Sequence, residues 1–252
     1  MFRRLPGRGG DRWKNRAVTT PHPTRKFVVV VSAAVVAIAI VVSIFAATNN
    51  RSRPEAIIFA PHTGSSFTIA VIGDSWSAGA GSDTNTSFSS FGAEAARELG
   101  VKGVIFAARG TGYVATSTAG GVYRERLARV AAVEPDLVVV QGSVNDTRQS
   151  TPDDVGAASK QLFSELRELL PNAVIVATGP MDAPITVPQQ TIESAAAIRE
   201  SALETDVHFV DPVGERWLPL DDDLFSDGLH PNQAGYDLIA ARLADALRPY
   251  LR

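Results

Sequence analysis

The chain has 252 residues, 45% of them hydrophobic, which suffices for one substantial buried core. It contains no cysteine, so disulfides, thiolate zinc sites, a cysteine nucleophile and a lipoprotein-type cysteine anchor are excluded. The formal charge of −3 is unevenly divided: residues 1–26 carry eight Lys/Arg against Asp11 alone, a balance of +7 that leaves −10 for the rest.

The basic tail, residues 1–26, is followed by the uncharged stretch Phe27 to Ala47, in which Ser32 and Ser43 are the only polar residues. As a helix this stretch reaches about 30 Å, the thickness of a bilayer's hydrocarbon core. One transmembrane helix over residues 27–48 is therefore expected. The positive-inside rule puts the tail in the cytoplasm, where it can meet anionic headgroups, and the remainder outside. Secretion after cleavage of a signal peptide is the alternative. Such peptides have a shorter apolar region of about 7–15 residues, and no convincing small-x-small site follows here. Residues 49–66, rich in Asn, Ser, Pro and Gly, read as a linker that holds one apolar triplet, Ile57-Ile58-Phe59. The acidic part beyond it argues against a nucleic-acid partner.

Residues 67–252 read as one domain in which short apolar runs alternate with longer amphipathic ones. Strands are expected at 67–72, 103–107, 136–141, 173–178 and 207–210. Helices are expected near 88–99, 122–133, 153–170, 190–204 and 232–249. Thr151-Pro152-Asp153-Asp154 is a good helix start, and Pro171 follows the end of that helix. This alternation implies right-handed crossovers and a parallel sheet covered on both faces. The fold class is α/β: a three-layer αβα sandwich with about five parallel strands.

Open sheets of this kind place their chemistry beyond the strand carboxyl ends. Ser75, in Gly73-Asp74-Ser75-Trp76, follows the first strand, and Asp227-Gly228-Leu229-His230-Pro231 precedes the last helix. A serine is a weak nucleophile until a base takes its proton, and the base needs a third group to orient it. The chain offers all three parts, which points to a serine hydrolase or acyltransferase. Of the other histidines, His22 lies in the tail, His62 in the linker and His208 inside a strand, which leaves His230 as the base. Gly110-Thr111-Gly112-Tyr113-Val114-Ala115 matches a loose dinucleotide fingerprint. The acidic residue that pattern needs should end the next strand, whereas Asp136 begins it. Asp221-Asp222-Asp223 reads as solvated surface, and no metal or other cofactor is expected.

Taken in order, these residues resemble the SGNH, or GDSL-type, hydrolase family over about residues 67–249. The first block corresponds to Val71-Ile72-Gly73-Asp74-Ser75-Trp76 and the second to Ala108-Arg109-Gly110-Thr111-Gly112. The third normally reads Gly-x-Asn-Asp and is here Gly142-Ser143-Val144-Asn145-Asp146, with one extra residue. The fourth is Asp227-Gly228-Leu229-His230. The resemblance implies Ser75 as nucleophile, His230 as general base and Asp227 as its orienting carboxylate. It implies an oxyanion hole made by the Ser75 and Gly110 backbone N–H groups and the Asn145 amide, with Gly112 as an alternative donor. Asp74 and Asp146 are read as residues that fix their loops, and Ser75 as standing at a helix N-terminus. The expected function is an extracytoplasmic serine esterase whose substrate is an acyl-ester small molecule, glycan or lipid. An acyltransferase on cell-envelope carbohydrate, or a non-catalytic surface binding module on the same fold, are the alternatives.

Overall fold

The computed structural model describes residues 57–59 and 65–251. The stretch 27–48, read as a membrane span, and the basic tail lie outside the described residues. Among those described, no helix is long and apolar enough to cross a membrane.

Five strands arise where the apolar runs were expected: β2 (Thr68–Gly73), β3 (Lys102–Ala107), β4 (Leu137–Val140), β5 (Val174–Thr178) and β6 (His208–Val210). These five pair parallel with one another. The continuous apolar character of β2 to β5 follows from burial on both faces, while the edge strand β6 is short and only partly buried. A sixth strand was not expected as such. The linker triplet, β1 (Ile57–Phe59), pairs antiparallel with β3, Ile57 opposite Ile105 and Phe59 opposite Gly103. The sheet order is β1-β3-β2-β4-β5-β6.

Side-chain alternation along the strands divides the core in two. Ile69, Val71, Ile105, Leu137, Val139 and Val176 face one layer, made by α1 (Phe91–Leu99) and α6 (Gln233–Leu247). Ala70, Ile72, Val104, Phe106, Val138 and Ile175 face the other. That layer holds α2 (Leu127–Ala131), α4 (Pro152–Leu169) and α5 (Pro188–Glu204), with α4 and α5 packed together. The three-layer sandwich is thus the observed architecture.

Local signals set the helix ends. Thr151 and Asp154 form a reciprocal capping box at the start of α4, with Pro152 in the first turn. Gly100 ends α1 in the left-handed conformation at φ 67°. Two expectations fail. The segment 122–133 is not one helix but a 3-10 turn, Tyr123–Arg126, leading into the five-residue α2. No helix begins at Ser75 either. The chain there makes hydrogen-bonded turns, Ala78 N–H to the Asp74 carbonyl and Ala80 N–H to the Ser75 carbonyl, and α1 starts only at Phe91. A short helix, α3 (Val144–Gln149), appears where a loop was expected.

The connection leaves β2 for β3 on one side and returns to β4 on the other. The carboxyl end of β2 is therefore the topological switch point, where open α/β sheets bind ligands. Ser75 lies two residues beyond it.

Candidate active site

Ser75, Asp227 and His230 meet at this switch point. Ser75 Oγ lies 3.0 Å from His230 Nε2, and His230 Nδ1 lies 2.7 Å from Asp227 Oδ2. The short Asp-x-x-His spacing has a local cause. Asp227 Oδ1 accepts the N–H groups of Leu229 (3.0 Å) and His230 (2.7 Å), so the carboxylate closes its own turn while its second oxygen holds the ring. Gly228 sits in that turn at φ 77°, a conformation that favours glycine. Ser226 N–H donates to the His230 carbonyl at 2.9 Å and pins the far side. With Nδ1–H donated to Asp227, Nε2 is left as acceptor for the serine hydroxyl.

Ser75 is buried and the His230 side chain is 18% exposed, while that of Asp227 is 55% exposed. Partial burial pushes the Asp227 carboxyl up. The hydrogen bonds from His230 and Leu229 and the charge of His230 outweigh that effect, and the group is held below the usual carboxylate range.

The two glycines after β3 separate clearly. Gly110 adopts φ 74°, and its backbone N–H has no acceptor among the described residues; neither does that of Ser75. Gly112 N–H is already given to the Ala115 carbonyl at 2.9 Å. A Cβ on Gly112 would lie 2.3–2.5 Å from the Asp146 carboxylate. Gly112 is a glycine because a carboxylate packs against it, and its N–H is not the free one.

Asn145 stands in the first turn of α3, whose N-cap is Ser143. Its Nδ2 faces three acceptors: Ser143 Oγ (3.0 Å), the Thr111 carbonyl (3.1 Å) and Asp74 Oδ2 (3.3 Å). The amide is therefore oriented by the loop after β3 and by Asp74 at the end of β2. Ser143, within the third block that carries one residue more than Gly-x-Asn-Asp, is integrated by hydrogen bonds to Asp74, Thr111 and Asn145 rather than looped out. Gly142 before it admits no side chain, since a Cβ would lie 2.3 Å from Pro180 N.

Three buried charges underlie the site. Asp74 receives Trp76 N–H (2.9 Å) and Gln141 Nε2 (2.8 Å) on Oδ1, and Ser143 Oγ (2.7 Å) on Oδ2. Burial raises its carboxyl above the usual range against those bonds, assisted by the charge of Asp146. Asp146 is likewise raised by burial, against three backbone N–H donors. Arg126, 4% exposed, donates to the carbonyls of Gly73, Phe106 and Gly121 and to Thr111 Oγ1. Burial lowers its guanidinium, with Tyr123 and Asp74 opposing. Sequence reasoning gave Asp74 and Asp146 the loop-fixing role they hold here, but missed Ser143, Gln141 and Arg126. The one signal for Arg126 was a charged residue three after Tyr123, on the face that Tyr123, Leu127 and Val130 bury.

At the same end of the sheet, a cleft of about 340 Å³ opens between the loops after β5 and β6. Met181, Val213, Trp217, Leu218, Pro219 and Leu220 supply most of its wall, with Asp182 and Arg216 also lining it. Ile185 N–H donates to the Gly228 carbonyl at 3.3 Å, which ties the loop after β5 to the Asp227–His230 turn. Among the described residues, no group of three or more acidic or histidine side chains is arranged to hold a metal ion.

The family model described as GDSL-like Lipase/Acylhydrolase matches residues 71–238. A GDSL lipase of Mycobacterium tuberculosis is 31% identical over 186 residues, covering 70% of this chain and 79% of that protein. Among solved structures, the lipase/acylhydrolase from Enterococcus faecalis superimposes with a TM-score of 0.60 at 20% identity, over 74% of this chain and 97% of that one. The Mycobacterium smegmatis aryl esterase gives 0.60 at 17% identity, over 74% and 100%. A family two carbohydrate esterase from Clostridium thermocellum, in complex with cellohexaose, gives 0.61 at 20%, over 74% and 65%. At such identities the structural likeness speaks to the fold.

Proposed function

This chain belongs to the GDSL-like Lipase/Acylhydrolase family and is a carboxylic ester hydrolase, and from that premise we propose that Ser75, His230 and Asp227 form its catalytic triad. The observation that carries the reading is the unbroken hydrogen-bonded chain from Ser75 Oγ through the imidazole to Asp227 Oδ2. Ser75 Oγ attacks the ester carbonyl carbon while His230 Nε2 takes its proton. Asp227 holds the tautomer and stabilises the imidazolium. The imidazolium then protonates the leaving alkoxide, and the acyl group stays on Ser75. Water, deprotonated by the same nitrogen, attacks the acyl-enzyme, releases the carboxylic acid and restores the serine.

In this reading the Ser75 and Gly110 N–H groups and the Asn145 amide receive the developing oxyanion. Each such donor contributes about 2.7–4 kcal/mol in comparable sites. The free N–H groups of Ser75 and Gly110 support that assignment. The apolar cleft between the loops after β5 and β6 opens at the same end of the sheet, though none of Ser75, Asp227 and His230 lines it, and it gives the apolar portion of an extended ester somewhere to lie. We also propose that the N-terminal stretch 27–48 is an anchor that holds the enzyme outside the membrane. Protease added to intact cells should then digest the domain and spare the tail.

The experiment is active-site labelling of the full-length protein. A fluorophosphonate should modify Ser75 stoichiometrically, abolish hydrolysis of a nitrophenyl ester, and fail to label Ser75→Ala. Labelling of another serine with loss of activity would place the nucleophile elsewhere. Acyl transfer to an added sugar in preference to water would favour the transferase.

A further inference from the structure

The loop after β3 carries Gly110, and it is gripped from two sides by charges that the triad does not use. On one side Asp146 accepts three consecutive backbone N–H groups, Tyr113 on Oδ2 (2.8 Å) and Val114 (2.9 Å) and Ala115 (2.8 Å) on Oδ1. Gly112 lies flat against this carboxylate, with no space for a Cβ. On the other side Arg126 Nη2 donates to Thr111 Oγ1 at 2.6 Å, and its Nη1 donates to the Gly73 carbonyl at 2.6 Å. Arg126 thus ties the loop to the end of β2, two residues before Ser75. The Thr111 carbonyl in turn accepts from Ser143 Oγ (2.9 Å) and Asn145 Nδ2 (3.1 Å).

Burying two such charges is costly unless each is fully hydrogen-bonded, and apolar side chains of similar volume often stabilise a fold as well or better. Asp146 and Arg126 are respectively 0% and 4% exposed, and neither forms a direct ion pair among the described residues. Asp146 instead meets backbone N–H groups of the loop that bears Gly110, and Arg126 meets the Thr111 hydroxyl of that loop and the Gly73 carbonyl just before Ser75. Bonds to a loop's backbone fix its conformation, which apolar packing does poorly. We propose that Asp146 and Arg126 are positioning residues that clamp the 109–115 loop and so set the Gly110 N–H against Ser75 for oxyanion stabilisation.

This rests on the reading of Ser75 and Gly110 as oxyanion donors, and the test separates the two. Asp146→Asn, Arg126→Lys and Gly112→Ala are compared with Asp136→Asn. Asp136 makes the same kind of bond, Oδ2 to Thr68 N–H at 2.7 Å, at the opposite end of the sheet. Turnover is measured per titrated active site, well below the melting temperature, together with inhibition by phenylboronic acid, whose tetrahedral serine adduct places an oxygen in the hole. Each clamp variant should lose about 10–100-fold in kcat with KM within about twofold, the scale expected when a group is misplaced by about 1 Å. Inhibitor affinity should weaken by a similar factor. Asp136→Asn should melt earlier yet keep wild-type kcat. Clamp variants that only melt earlier, with kcat and inhibitor affinity unchanged, would overturn the proposal. If Asp146→Asn does not fold, Gly112→Ala, which displaces the carboxylate without deleting it, decides under the same criteria. Failure of the underlying reading looks different: the wild type itself would not bind the boronic acid through Ser75.

Discussion

Replacing Ser143 by alanine removes a hydroxyl whose one proton is shared between two acceptors and whose oxygen meets two donors. Its hydroxyl points at Asp74 Oδ2 (2.7 Å) and the Thr111 carbonyl (2.9 Å), and it accepts from Asn145 N–H (3.1 Å) and Nδ2 (3.0 Å). A hydrogen bond to a charged group is worth about 1.5–3 kcal/mol net. The lost N-cap of α3 costs about 0.5–2 kcal/mol. The two do not add in full, because Asp74 keeps Trp76 N–H, Gln141 Nε2 and the longer contact to Asn145. A loss of about 2–4 kcal/mol follows, which in a domain of this size lowers Tm by roughly 10 °C. Asn145 meanwhile loses one of the three acceptors that orient its amide. Turnover should fall about tenfold, short of the 10²–10³-fold expected for deleting an oxyanion donor. Urea unfolding gives the first quantity, and kcat on a nitrophenyl ester at 20 °C the second. A variant within about 0.5 kcal/mol of wild type and with unchanged kcat would refute the reasoning.

Two glycines should respond with opposite signs. Gly142→Ala forces a Cβ to 2.3 Å from Pro180 N and 2.4 Å from the Gly179 carbonyl carbon, both backbone atoms, and should cost about 1–3 kcal/mol or more. Gly156→Ala, inside α4 with its nearest neighbour at 3.5 Å, should gain about 0.5–1 kcal/mol; thermal melts of the pair settle both. Acid should reveal Asp227. Its folded carboxyl titrates below its unfolded one, so its contribution is complete above the ordinary carboxylate range and is lost as pH falls through the lowered value. The wild type should exceed Asp227→Asn in stability near neutrality by under about 1 kcal/mol, since the side chain is largely exposed, and the gap should close below about pH 4. A gap unchanged in acid would contradict the assignment.

What the sequence made legible depended on how local its causes were. The inner parallel strands were legible because burial on both faces writes them as apolar runs, such as Leu137–Val140. The Asp227–His230 pairing was legible because one self-closing turn produces the spacing. That Ser75 and His230 meet across 155 positions required the topology, which the strand–helix alternation supplied. Other features had no local signature. β1 is three residues in a polar linker, and it exists only because β3 offers it an edge. α3 reads as a loop until Ser143 is seen to cap it. That Gly112 N–H is already bonded to the Ala115 carbonyl, and that Asp146 from another strand's end packs against Gly112, depends on contacts that the local sequence does not show. Arg126 interrupts a helical pattern because its guanidinium is drawn inward to carbonyls at the ends of β2 and β3.

The central claim is that Ser75, His230 and Asp227 act as one unit, and the double mutant tests it most directly. Ser75→Ala and His230→Ala should each lower kcat/KM by on the order of 10⁴-fold or more, with folding intact by circular dichroism. The combined variant should be no more than a few-fold worse than either, because removing one member already disables the other. Losses that multiply in the double mutant, or a Ser75→Ala protein that keeps most of its turnover, would contradict the account.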